Sequence, residues 1–90
     1  MPPTRFPVSA YYAAHVLEGI TLSNKGGWWT AVLLIADPRT KSPFVSLYRW
    51  ELDNGEWKNR KSFVIRDQGT LDKVIAGLQE YRGQLPAKSR

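Results

Sequence analysis

Residues Phe44 to Ile65 read F-V-S-L-Y-R-W-E-L-D-N-G-E-W-K-N-R-K-S-F-V-I, and this stretch decides the fold. Asn54-Gly55 supplies the positive φ angles that a two-residue primed turn requires, so Asp53-Asn54-Gly55 is a tight hairpin. Before it, Phe44 to Leu52 is the clearest strand in the chain. Its side chains alternate, with Val45, Leu47, Arg49 and Glu51 on one face and Phe44, Ser46, Tyr48, Trp50 and Leu52 on the other. After the turn, Glu56 to Ile65 pairs back as the next strand.

Upstream, Ser23 to Gly27 is a turn. It leads into Trp28 to Ala36, a strand of aromatic and β-branched residues. Asp37 to Pro43 is a loop with a proline near each end. Ser9 to Gly19 reads in two ways: a short alanine-rich helix capped by Ser9, or a first strand; the strand is preferred from about Val16. Downstream, Arg66 to Thr70 breaks the pattern. From Leu71 the period becomes helical, with Leu71, Val74, Ile75, Leu78 and Tyr81 on one face. Asp67 or Thr70 can cap the start of this helix, and Gly83 can close its end.

The expected fold class is therefore α+β: a four-stranded curved antiparallel β-sheet followed by a C-terminal α-helix. One helix covers one sheet face, leaving the other face open. Ninety residues make one domain. Residues 1–14 are expected to be a flexible N-terminal tail, with three prolines in the first seven positions, and residues 86–90 a C-terminal tail. The folding unit spans residues 15–85. A core this small is marginal without a staple or a partner. A homodimer through the helix stripe of Leu71, Val74, Ile75, Leu78 and Tyr81, or through a strand edge, would supply one, and Gly77 would let a second helix approach closely.

The composition narrows the function classes. No cysteine is present, which removes disulfides and thiolate metal sites. The start lacks the basic and apolar regions of a signal peptide, and no apolar run is long enough to span a bilayer as a helix. An intracellular location, cytoplasm, nucleoid or nucleus, is expected, with no membrane partner. Thirteen Lys and Arg against eight Asp and Glu give +5 and a pI near 9.8, which favours a polyanionic partner. The lone His15 has no carboxylate beside it and no thiol anywhere to activate. Carboxylates are scattered, and Gly26-Gly27 precedes a strand, so it does not resemble a nucleotide loop. An enzyme is not expected, nor a cofactor, a metal or a small-molecule substrate.

Four tryptophans in so small a chain are hard to bury with every indole N–H satisfied. Tyr48, Arg49 and Trp50 face Trp57, Lys58, Arg60 and Lys61 across the hairpin. Unpaired bases stack on such rings while the cations neutralise phosphates, so this constellation favours single-stranded DNA or RNA, with DNA preferred and little sequence specificity. Trp28 and Trp29 add a second platform, one on each face, and register decides which of them meets a ligand. Lys25 extends the basic rim. The plain alternative for Lys58, Arg60 and Lys61 is a charged strand edge that keeps the chain soluble. Two other function classes compete: a protein-interaction module with indole hot spots, and a duplex-binding chromatin protein.

From Phe44 onward the chain resembles the positive-cofactor-four-type transcriptional coactivators, single-stranded DNA-binding proteins. The matching residues are Val45, Leu47, Tyr48, Trp50, the Asp53–Gly55 turn, the return Lys58-Asn59-Arg60-Lys61-Ser62 and the helix T-L-D-K-V-I-A-G-L-Q-E-Y. The resemblance implies a curved sheet, a dimerising C-terminal helix, DNA-backbone contacts for Lys58, Arg60 and Lys61, and a place on the binding strand for Tyr48 and Trp50. The chain departs from the family where Asn59 replaces a Pro-Gly pair and where Glu51 stands in place of an aromatic residue. The aromatic and basic sheet is also similar to compact archaeal single-stranded DNA-binding domains.

Overall fold

Two tight turns and one longer loop set the topology. In the computed structural model, which describes residues 6–86, Asn54 and Gly55 have φ of 59° and 84°, and Gly26 and Gly27 have φ of 65° and 83°. Paired positive φ angles match the twist of the flanking strands, so both turns close antiparallel hairpins. The loop between them is held by Asp37, whose carboxylate accepts from the Arg39 and Thr40 amides at 2.8 and 3.4 Å. Those amide hydrogen bonds, the one from Arg39 first, hold the Asp37 carboxyl below the usual carboxylate range.

The elements follow as α1 (Ala10–Ala13), β1 (Val16–Lys25), β2 (Trp28–Ala36), β3 (Pro43–Asp53), β4 (Glu56–Ile65) and α2 (Gln68–Arg82). The strands form one antiparallel meander in sequence order. Both readings of Ser9 to Gly19 hold in part: one helical turn at Ala10–Ala13, then the strand from Val16.

Register assigns the faces. Trp29 pairs with Trp50, Ala31 with Tyr48, Leu33 with Ser46 and Ile35 with Phe44. Paired residues point the same way, so these eight line one face, here the inner face. Trp57 joins them opposite Leu52. The open face carries Trp28, Thr30, Val32 and Leu34 from β2, Val45, Leu47, Arg49 and Glu51 from β3, and Lys58, Lys61, Phe63 and Ile65 from β4.

The inner face is the core. Trp50 is fully buried and packs at 5.1 Å against Tyr48 and 5.2 Å against Trp29; Trp29 in turn meets Trp57 at 5.4 Å. The expectation of a helix over one sheet face is corrected here. The cover comes from the N-terminal segment, where Phe6, Val8 and Tyr12 pack onto the core. Residues 6–13, expected in a flexible tail, thus lie on the sheet; residues 1–5 and 87–90 of the expected tails fall outside the described residues. Pro7 is no obstacle, because a segment that adheres by side chains alone needs no backbone donors.

The C-terminal helix is formed but buries none of its residues. Asp67 caps it, accepting from the Thr70 amide at 2.8 Å. Leu71 meets Leu34, Val45 and Ile65 around a cleft of about 290 Å³ at the helix root. Beyond that root the apolar stripe is uncovered, with Leu78 65% and Tyr81 63% exposed.

Candidate nucleic-acid interface

The alternation of β3 splits Tyr48-Arg49-Trp50 between the faces, and this split decides what the aromatic residues can do. Tyr48 is 8% exposed and Trp50 0%. Burial also pushes the Tyr48 hydroxyl above its ordinary pKa. The expectation that both rings stand ready on a binding strand is therefore corrected: they are core residues. Trp29 and Trp57 are half-buried on the same face, and Trp29 donates its indole N–H to the Thr21 hydroxyl at 3.0 Å. Among the described residues the fully buried Trp50 indole N–H has no hydrogen-bond partner. Each unmade buried hydrogen bond costs about 1–3 kcal/mol.

The open face holds the cations. Arg49 stands directly opposite Lys61, and Lys25 pairs with Trp28. Like charges face to face across a ladder are unfavourable unless an anion joins them. Among the described residues neither Arg49 nor Lys61 has a carboxylate within 4 Å. Arg60, by contrast, reaches Glu51 at 3.0 Å and Asp53 at 3.3 Å, and Lys58 reaches Glu56 at 3.2 Å. These exposed pairs are weak and can exchange for phosphates. Arg60 is the extra residue where the β3–β4 register shifts between Arg49 and Trp50, a bulge that turns it toward Glu51 on the open side.

Aromatic surface lies beside this charge. Trp28 is half-buried and carries the Arg49 guanidinium 4.1 Å above its ring. The stack presents a flat, positively charged surface. One register step along, Thr30, Leu47, Arg49, Lys61 and Phe63 line a shallow depression of about 310 Å³. Its floor is apolar and its rim cationic, and Phe63 is 52% exposed.

The structure therefore brings Lys25, Trp28, Arg49, Lys58, Arg60 and Lys61 to one side, and places Trp29, Tyr48, Trp50 and Trp57 on the other. Thr30, Leu47 and Phe63 line the depression without being marked as site residues by the sequence pattern. The signal for Phe63 was available, since it lies two residues beyond Lys61 on the same strand. Among the described residues no group of three or more His, Asp or Glu is placed to hold a metal ion, and no helix is long and apolar enough to cross a membrane. No protein-family model, no curated protein and no solved structure matches the chain.

Proposed function

We propose that the protein binds single-stranded nucleic acid, DNA by preference, on the open face of its sheet, as a binding protein rather than an enzyme. The observation that carries this reading is the Arg49–Lys61 pair: two adjacent unneutralised cations beside Trp28 and Phe63. Phosphates relieve the repulsion between the cations, and unpaired bases lie on the rings between them. A duplex hides its base faces and would leave the depression empty. The resemblance of residues 44–81 to positive-cofactor-four-type coactivators implies the same activity. It also implies backbone contacts for Lys58, Arg60 and Lys61, all on the side proposed here.

The same reading makes the protein a homodimer. Below the cations the open face turns apolar, with Ile20, Val32, Leu34, Val45 and Leu47 running across three strands; Ile20 is 65% exposed. The stripe of α2 leaves this surface at its root and stays uncovered. One chain thus owns two apolar surfaces that meet only at the helix root, where Leu71 lies against Leu34 and Val45, and a second copy satisfies both by two-fold exchange.

A titration comparing labelled oligo-dT, the same sequence as duplex, and oligo-U at low salt tests the binding. Oligo-dT is expected to bind most tightly, with an affinity that falls steeply as salt rises. Preference for the duplex contradicts the reading. Sedimentation equilibrium tests the dimer: the chain sediments at twice 10.3 kDa, and Leu78→Glu sediments as a monomer.

A further inference from the structure

The N-terminal cover is attached in an unusual way. Among the described residues, the backbone hydrogen bonds of residues 6–14 reach no strand: Tyr12 and Ala13 donate to Ser9, and the Tyr12 carbonyl accepts from the His15 amide. No side-chain hydrogen bond ties it to a strand either; the first link is the Ala36 amide to the His15 carbonyl at 2.9 Å. What holds the segment is ring contact: Phe6 on Trp29 at 5.6 Å and on Trp50 at 6.2 Å, and Tyr12 edge-on to Phe44 at 5.8 Å. Phe6 is admitted because residue 19 is glycine; a Cβ there would lie 2.5 Å from its ring.

We propose that residues Phe6–Ala13 form a displaceable strap over a second base-stacking site, built by Trp29, Trp50 and Trp57, whose ligand is an unpaired nucleobase. Phe6 occupies the site as an internal stand-in, tilted 28° to the Trp50 ring. A phenyl ring fills the space and stacks, but offers no lone pair to the fully buried Trp50 indole N–H. A base stacked on the Trp29 and Trp57 indoles can turn its edge, with carbonyl and ring-nitrogen acceptors, toward that donor. The inner face carries no cations from the strands, so the phosphates of such a strand stay at the rim. There the edge strand β4 carries Lys58 and Arg60 next to Trp57 and Asn59. A strand bound on the open face can thus pass over the β4 edge and set one base under the lifted strap. No chain segment has to refold, because the strap leaves the ladder hydrogen bonds intact.

The proposal rests on the single-strand reading above, and its test separates the two. Labelled oligo-dT is titrated at low salt into the full chain and into Phe6→Ala, while the Trp50 indole N–H resonance is followed. Phe6→Ala is expected to bind on the order of tenfold more tightly, because the closed strap taxes the competent population. The Trp50 indole signal is expected to move in both proteins. Equal affinities with an unmoved Trp50 signal overturn the strap and leave the open-face reading standing. Absence of binding by both proteins overturns both readings. A measurement on the unaltered chain covers the case in which Phe6→Ala does not fold. Hydrogen exchange at the Tyr12 and Ala13 amides should accelerate when oligo-dT saturates the protein, and unchanged or slower exchange overturns the proposal.

Discussion

The two faces of the sheet divide the properties that the sequence places side by side. The inner face has Tyr48, Trp50, Trp29 and Trp57 and no strand cation; the open face has Arg49, Lys61, Lys58 and Lys25 with Trp28 and Phe63. Along β3 the aromatic and cationic residues are neighbours, but the strand's period of two separates them by the thickness of the sheet. A row of alternating aromatic and basic residues is thus not one platform. It is a core on one side and a charged surface on the other, and only residues sharing a face form one platform.

The largest expected effect separates the faces by stability. Trp50→Ala removes a fully buried indole and should cost about 3–5 kcal/mol in denaturant unfolding, whereas Trp28→Ala should cost far less. If Trp50→Ala left stability unchanged, the inner face would not be the core. Trp28→Ala should instead weaken oligo-dT binding by about 1–3 kcal/mol, the contribution of one stacked base. Equal binding by Trp28→Ala and the unaltered chain would move the platform off the open face. Lys61→Ala sharpens the contrast further: its affinity should fall, and the slope of log affinity against log salt should become shallower by about 1.

The smallest effect concerns the β2–β3 loop. The Asp37 carboxyl has a lowered folded pKa, chiefly through the Arg39 amide. Its contribution to stability is present above the unfolded carboxylate pKa, about 3.9, and is lost as pH falls through the lower folded value. Asp37→Asn should therefore lose stability near neutral pH, and the gap to the unaltered chain should narrow in acid, as the Asp37 carboxylate is protonated. A gap that widens in acid would mean that the ionised carboxylate does not hold the loop.

Much of this fold is legible residue by residue. Asn54-Gly55 and the alternation of Phe44 to Leu52 give the β3–β4 hairpin with its faces, and the bracketing of Trp28 to Ala36 gives β2. The adjacent Trp28 and Trp29 show that one indole enters the core, though only the pairing of Trp29 with Trp50 shows which. The strap is not legible. Phe6, Val8 and Tyr12 follow neither a helical nor a strand period, and what they bury depends on Gly19, Trp29 and Trp50 far along the chain. The place of α2 is hidden for a related reason. The stripe of Leu71 to Tyr81 shows that the helix has an apolar side, but amphipathicity does not specify which surface it meets. The same limit bears on the candidate site: the cations are legible as a group and Trp28 as a possible platform, but only register shows that Trp28 and Phe63 share their face and that Tyr48 and Trp50 do not.

The most direct test of the open-face account is a low-salt anisotropy titration of labelled oligo-dT into the unaltered chain and into the double variant Arg49→Glu, Lys61→Glu. The account predicts salt-sensitive binding by the first and none by the second, with both chains giving the same circular dichroism spectrum. Equal binding by the folded double variant would contradict it.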